Sequence, residues 1–580
     1  MGFCTVFPIR EYSPLSAVNS RASNSCSDLV ARLFSVRVQP STFLRTKSPD
    51  HLMNMFHRQI TQLVLAALLS VTAFGQAAKE SPPAEITGRY EGFALSTVYG
   101  RVPLVVEIRY EKQAVVGSMH TPLGDFNIAQ ASYADGRLVF KAESYDDEGI
   151  ITLNFKAGRW VGEFDGFGDK GSVELIRIGP PSPVPDTTPT DNLSKAAWRE
   201  DLQFLAGELP RRHANAFHSV TREQFARAVA DLDARIPQLQ NSDIVMGLSR
   251  IVAMIGDGHT HLRWGRLYQN VPLQLFWFGN QLRVTGASAK YRKVVGTRIV
   301  EIGSVSVTQA YARDLSYIPQ GESEGFVRSA HADLSTYPVH LHALSLAPDI
   351  THAQYTFLSD KGERFKLTLQ TIKAGEQASW IDAERRTPLY KQREKEPLWF
   401  TYLAPEQTLY LNFKAYPRRK DFIKFSRELF DFIDHHAIAR VVVDMRQNGG
   451  GDFTKGRDYI VSEFKKRPRL THKGMLYVII GRWTYSAGMS NAADFRNDLH
   501  AILVGEPTGA RPNGYQENRE FSLPNSHLGV SYSTQLYKFQ EQDTPGIMPD
   551  KRIDPDWRSY QQGRDPGLAW ILKQAQPSGQ

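Results

Sequence analysis

The sequence predicts a multidomain protein. A small antiparallel β-barrel or sandwich comes first, followed by an α+β region with a helical segment, a β-rich insertion and an α/β core. Three observations lead there. The chain has 580 residues, too many for one hydrophobic core. Residues 82–178 hold short β-rich runs broken by Gly, Asp and Asn turns, the pattern of an all-β module. From about residue 397 strands alternate with amphipathic helices, the order that builds a largely parallel sheet.

The N-terminal 78 residues read differently. "MFHRQITQLVLAALLSVTAFGQAAKE" has one basic residue, Arg58, then an apolar stretch from Leu63 to Phe74, then small residues that fit a cleavage site. This is the layout of an export signal over 53–78. Its apolar stretch is too short for a stable membrane span. Residues 1–52 read as an upstream extension. Export implies a bacterial periplasmic or extracellular location. Both cysteines, Cys4 and Cys26, fall in the extension, so a processed protein has neither disulfides nor thiolate chemistry. The formal charge is +8, of which residues 1–78 supply +4. The rest of the excess is scattered without a Lys/Arg-rich run, so nucleic-acid binding is not indicated.

Taken in order, "VPLVVEIRYEKQAVVGSMHT", "ADGRLVFKAES" and "GIITLNFKAGRWVGEFDGFGDKGSVELIRI" supply about eight strands for the 82–178 module. "GPPSPVPDTTPTD" over 179–191 is a Pro-rich linker. Helices fill most of 192–265. In "SDIVMGLSRIVAMIGDGHTHL", Ser242 is an N-cap candidate. Ile244, Leu248, Ile251, Val252 and Ile255 form one apolar face, and Gly256 ends the helix. "DGHT" then sits on a loop held by a packed helix. Residues 266–396 form the β-rich insertion. Within them "VVGTRIVEIGSVSVTQAYARDL" reads as strand, Gly turn, strand and helix, and resembles the middle of a PDZ domain.

The α/β core spans 397–575. "TLYLNFKAY", "ARVVVDM", "MLYVIIG" and "AILVG" are its strands, and "DFIKFSRELFDFIDHH" is an amphipathic helix. Sites in such sheets lie at the carboxyl ends of the strands. "RQNGGGD", "RWTYSAG" and "EPTGARPNG" fall there.

Ser486, in "GRWTYSAGMSNAADF", follows a strand and opens a helix. Serine is a common N-cap. The same position suits a nucleophile, because free N–H groups and the helix dipole stabilise an oxyanion; the N–H of Ala487 is the first available donor. In "DMRQNGGGD" the glycines allow an N–H to turn into a cavity, and Gly450 is the candidate second donor. The stretch lacks the Lys-Ser/Thr ending of a phosphate-binding loop.

"VVVDMRQNGGGD", "WTYSAGMSNAADF", "ILVGEPTGARPNG" and "GIMPD", with "IGDGHTHL" upstream, together resemble the tail-specific (C-terminal-processing) serine protease family over roughly 195–560. The resemblance implies a protease with a helical region, an often PDZ-like domain and a crotonase/ClpP-like core, acting on peptides or non-native proteins without a metal or nucleotide. One version of the family uses a Ser–Lys dyad. Arg511 stands where that lysine would be, and an arginine cannot act as a general base. The tricorn-like version uses serine, a distant histidine and an acid. It implies Ser486 as nucleophile, His259 as base and Asp543 as the orienting acid, with Asp550, Glu506 and Asp257 as fallback acids. That version carries Glu at the acid position and Ser before the histidine; this chain has Asp543 and Gly258.

Two other readings compete. "HTH" (His259, His261) and "HLH" (His340, His342) alternate as strand-borne zinc ligands can. There is no HExxH, however, and no nearby carboxylate at helical spacing, so no metal and no cofactor are expected. His213 and the His435–His436 pair are expected on or near helix surfaces. The resembled family also includes a retinoid-binding relative, so a non-catalytic binding protein, or an esterase using the same serine, remains open.

Overall fold

A computed structural model describes residues 86–575 apart from 112–113, 123, 145–147, 157, 167–168, 183–187, 373–378 and 473. The upstream extension, the export signal and both cysteines lie outside the described residues. Among the described residues, no helix is long and apolar enough to cross a membrane. The chain divides into two compact units, one ending at residue 184 and one beginning at 185.

The first unit is a closed antiparallel barrel. Its strands are β1 (Gly88–Ser96), β2 (Gly100–Glu111), β3 (Ala114–Thr121), β4 (Gly124–Ala134), β5 (Arg137–Glu143), β6 (Glu148–Lys156), β7 (Arg159–Gly166) and β8 (Asp169–Gly179). β1 pairs with both β2 and β8, which closes the ring and leaves no open sheet edge. Alternate residues point inward: Leu138, Phe140 and Ala142 of β5 are buried while Arg137, Val139 and Lys141 between them are not buried. Tyr90, Phe140 and Trp160 help fill the interior.

The second unit begins with three helices, α1 (Lys195–Arg212), α2 (Arg222–Arg235) and α3 (Asn241–Ala253). Ile244, Leu248, Ile251, Val252 and Ile255 are all buried, as the apolar face of α3 requires. Ser242 is not the cap. Gln240 holds that position, and Ser242 is buried inside the first turn. The chain then turns at Gly256, with φ +95°, and enters the short strand β9 (His261–Arg263).

A seven-stranded antiparallel sheet follows, made of β10 (Leu273–Phe278), β11 (Gln281–Ser288), β12 (Arg298–Ile302), β13 (Val305–Ser306), β14 (His352–Leu358), β15 (Arg364–Gln370) and β16 (Trp380–Asp382). Three helices lie among these strands: α4 (Val307–Asp314), α5 (Glu324–Leu334) and α6 (Pro338–Ala343). The strand–turn–strand–helix order read from "VVGTRIVEIGSVSVTQAYARDL" is present in β12, the turn at Gly303, β13 and α4. His340 and His342 lie on α6 rather than on a strand. His340 Nε2 pairs with the buried Asp314, which is also bonded to His331.

The α/β core contains β17 (Leu398–Leu403), β18 (Thr408–Phe413), β19 (Arg440–Asp444), β20 (Leu476–Ile480) and β21 (Ile502–Gly505). Its two longest helices are α7 (Arg419–His435) and α8 (Ala487–Leu499). Strands β18 to β21 are parallel, and β17 closes one edge antiparallel. Every residue of β19 and β20 is buried, as expected of a sheet covered on both faces. The long hairpin of β22 (Asn513–Ser522) and β23 (Gly529–Lys538) pairs back onto β9. The two-residue β24 (Lys551–Arg552) finishes the core sheet beside β21.

The α3 face is the support on which the 256–260 loop rests. Leu248→Ala should therefore lower unfolding stability by about 2–5 kcal/mol, read by chemical denaturation against the unchanged protein. A loss of less than about 1 kcal/mol would contradict the packing described.

Candidate active site

Ser486 occupies the N-cap position of α8 with φ +49° and ψ −127°, and its side chain makes no capping bond. A positive φ at a non-glycine residue is strained. The strain is held by bonds on both sides. Tyr485 N–H donates to Asn448 O at 2.9 Å. Thr484 Oγ1 donates to Met445 O at 2.8 Å and accepts from Gly481 N–H at 3.0 Å. Asn448 Nδ2 in turn donates to Phe413 O at 3.0 Å. The loop after β20 is thus pinned to the loop after β19. Ser486 is only half-buried and its hydroxyl is left uncommitted by the helix.

Gly450 lies against this serine, with φ +111°. A Cβ there would meet Ser486 Cβ at 2.7 Å and Ala487 N at 3.2 Å. Its own N–H is donated to Asn448 Oδ1 at 3.0 Å. What Gly450 supplies in this structure is space beside Ser486, not an open oxyanion donor. The N–H of Ala487 begins the helix, where no intrahelical acceptor exists.

His259 is brought to Tyr485, the residue before the serine. Its ring stacks on that of Tyr485, centroids 4.8 Å apart, and its Nδ1 lies 3.4 Å from Tyr485 Oη. It is 1% exposed, and Nε2 is buried without a hydrogen-bond partner. His259 thus packs on the residue that precedes Ser486, and its Nε2 makes no hydrogen bond to the serine. Burial, opposed in part by the Asp257 charge, pushes the imidazole down to about 4, so it is neutral at neutral pH. His261, on β9, is also buried with both ring nitrogens unpartnered, and burial pushes it to about 3.

The four acids named from the sequence are held apart. Asp543 is exposed and its Oδ1 accepts from Arg511 Nη2 at 2.9 Å. Two residues expected to flank the chemistry are thus paired with each other, and Asp543 does not reach the buried His259. Glu506 accepts both Nε and Nη2 of the buried Arg482. Asp550 accepts Leu503 N–H at 2.8 Å and lies 3.3 Å from Arg496. Only Asp257 touches the histidine loop. Its Oδ1 accepts His259 N–H at 3.2 Å and Ser533 Oγ–H at 2.6 Å, and its Oδ2 lies 2.9 Å from His213 Nε2. Burial alone would raise this carboxyl, but the bonds from His213 and the neighbouring His218 and Ser533 hold it well below the usual range.

Two residues escaped the sequence reading. Glu322, just before α5, is buried beneath the same loop. Its Oε1 accepts Gly258 N–H at 3.0 Å and lies 3.3 Å from Tyr485 Oη; its Oε2 accepts Arg511 N–H at 2.8 Å. Burial pushes its carboxyl up to about 7, against the two backbone N–H groups. Tyr485 stands inside the quoted motif, but nothing in its spacing points to a role. His213, expected near a helix surface, is buried at the end of α1.

His213, His218 and Asp257 bring ligand-type atoms within 4.8 Å of one another. The hydrogen bonds oppose a three-ligand ion. Asn215 N–H donates to His213 Nδ1 at 2.9 Å, so the ring proton sits on Nε2 and points at Asp257. Ligation through Nε2 would move that proton onto Nδ1, facing the Asn215 N–H.

Gly450→Ala forces a Cβ into the serine's space at a φ that L-residues avoid. It should lower the melting temperature, at a cost of order 1–3 kcal/mol, as read by thermal unfolding. An unchanged melting temperature would mean that Ser486 is not confined as described.

No protein-family model matches the chain, and no curated relative matches it. Among solved structures, mature CPAF complexed with lactacystin aligns with 65% of this chain and 97% of its own, at 10% identity and TM-score 0.44. A photosystem II D1 C-terminal processing protease aligns with 64% of this chain and 98% of its own, at 14% identity and TM-score 0.31. The tricorn protease aligns with 82% of this chain and 50% of its own, at 11% identity and TM-score 0.30.

Proposed function

We propose that the chain is an exported serine peptidase that hydrolyses peptide bonds of peptides or non-native proteins through an acyl-enzyme at Ser486. The observation that carries this is a serine held at positive φ on a helix N-terminus, its hydroxyl unused by the helix, directly after a tyrosine whose ring stacks on a buried neutral histidine with an unpartnered Nε2. A serine serving only as a cap would adopt extended backbone and bond a first-turn N–H.

In this reading Ser486 Oγ attacks the scissile carbonyl carbon and its proton passes to His259 Nε2. The Ala487 N–H and the positive end of α8 stabilise the oxyanion. His259 then returns the proton to the leaving amine, and water repeats the sequence on the ester. Hydrogen-bond contact between Ser486 and His259 forms as substrate closes the site, as is common for catalytic bonds that are long in the free enzyme. Arg511 is no rival base, because its guanidinium stays charged and is paired with Asp543. The motif order of the sequence supports a tricorn-like Ser/His arrangement on a crotonase/ClpP-like core, with the β10–β16 sheet as a PDZ-like module that guides substrate.

A fluorophosphonate probe tests the chemistry. The wild type should label, Ser486→Ala should not, and His259→Ala should label about 10²–10⁴-fold more slowly. No labelling of the folded wild type would overturn the catalytic reading in favour of a binding protein. Normal labelling of His259→Ala would remove the histidine from the mechanism. Peptide and ester substrates then separate a peptidase from an esterase.

A further inference from the structure

We infer that Tyr485 and Glu322 together form the positioning relay for His259, with the tyrosine hydroxyl bridging imidazole Nδ1 and the buried carboxylate. The inference rests on the serine-peptidase reading above and supplies the orienting acid that Asp543 does not.

The geometry fixes the direction of each proton. Both Glu322 oxygens face donors: Gly258 N–H and Tyr485 Oη on Oε1, Arg511 N–H on Oε2. An ionised Glu322 therefore draws the Tyr485 proton toward itself. Tyr485 Oη then accepts from His259 Nδ1–H, and the lone pair is left on Nε2, the nitrogen that takes the serine proton. The ring is held from both faces of the tyrosine, which stacks on His259 at 4.8 Å and on Phe326 at 5.4 Å. The Asp257 carboxylate fixes the backbone N–H of His259 from the other side.

Gly258 is part of the device. A Cβ on Gly258 would lie 2.1 Å from Tyr485 Oη and 3.0 Å from Phe326 Cζ. Any side chain at 258 would occupy the space of the tyrosine hydroxyl. The absence of a side chain at 258 and the presence of a phenol at 485 are one arrangement.

The relay is reversible. A protonated Glu322 donates to Tyr485 Oη, the tyrosine donates to Nδ1, and the imidazole proton is left on Nε2, where it blocks the serine. The charged or titratable groups around Glu322 are Tyr485, His259 behind it, Asp257, and Arg511, whose guanidinium is paired with Asp543. Burial, reinforced by Asp257, brings the carboxyl to about 7. Activity should rise as pH increases through that region, while His259 alone would stay neutral far below it.

Fluorophosphonate labelling of the full chain, followed from pH 5.5 to 8.5, tests this. Wild type should show an inflection near 7. Tyr485→Phe keeps both stacking contacts and removes one oxygen. Its limiting labelling rate should fall roughly 10- to 100-fold, a share of what general-base catalysis supplies, with the probe's half-saturating concentration unchanged and the inflection lost. Glu322→Gln, which can donate but not carry charge, should stay slow at every pH. Histidine ¹⁵N shifts give a readout free of turnover: at pH 8 the His259 proton should be on Nδ1 in wild type and shift toward Nε2 in both variants. A Tyr485→Phe protein with wild-type rate, pH profile and tautomer overturns the relay while leaving the Ser486 reading intact. A wild type that does not label overturns both.

Discussion

The histidine half of the site depends on two buried carboxylates, one within and one beneath the loop that joins α3 to β9. Asp257 accepts from His213 at the end of α1, from Ser533 on β23 and from the backbone of His259. Glu322 accepts from Gly258 and from Arg511. A buried charge is costly unless each lone pair meets a donor. Meeting that demand draws the helical segment, the β22–β23 hairpin, the start of α5 and the loop after β21 to one place. The histidine loop is fixed as a consequence.

The serine side is held by a different means. It contains few charges and depends on backbone bonds and on space. Asn448 ties the loop after β19 to the loop after β20 through its carbonyl, while its side chain donates to Phe413 O on β18 and accepts from Gly450 N–H. Glycines at 450 and 488 allow close approach: a Cβ at Gly488 would lie 2.4 Å from Asn448 O. Asp444, Arg446 and Asp565 form a part-buried ion cluster at the end of β19, with Arg446 Nη2 2.8 Å from both acids. The two halves meet at Tyr485, which belongs to the serine loop by sequence and touches His259 by its ring.

Much of the architecture was legible in the residues. Period-2 runs and turn residues marked the barrel strands, because a closed small barrel buries every second side chain. The α3 face and the continuous apolar runs of β19 and β20 were equally plain. Strand–loop–helix order put Ser486 and the Ala487 N–H at a helix N-terminus, as the structure has them, whereas His259 was named only through the resemblance of "IGDGHTHL" to the tail-specific proteases. The failures have a common cause. Asp543 was named because the tricorn-like pattern has a carboxylate three residues before the glycine of "GIMPD", but whether a carboxylate faces His259 or Arg511 depends on which loop folds beneath it. Ser242 was read as a cap from residue type, whereas the helix begins two residues earlier and buries it. The "HLH" alternation suggested a strand, whereas Pro338 opens a short helix there.

The sequence by itself determined the periodicities, and with them the barrel, the order of core strands and helices, and the helix N-terminus on which Ser486 stands. Those are local properties, set by side-chain spacing and by which backbone groups lack partners. Only the tertiary structure decided the rest. It set Ser486 at positive φ with its hydroxyl spare, turned the Gly450 N–H onto Asn448, sent Asp543 to Arg511, and brought Glu322 and Tyr485 to a histidine 63 and 226 positions away from them. Partners so far apart in the chain leave no periodicity to read. They are chosen by the requirement that every buried polar group find a donor or acceptor, and that requirement can be met only once the whole unit has packed.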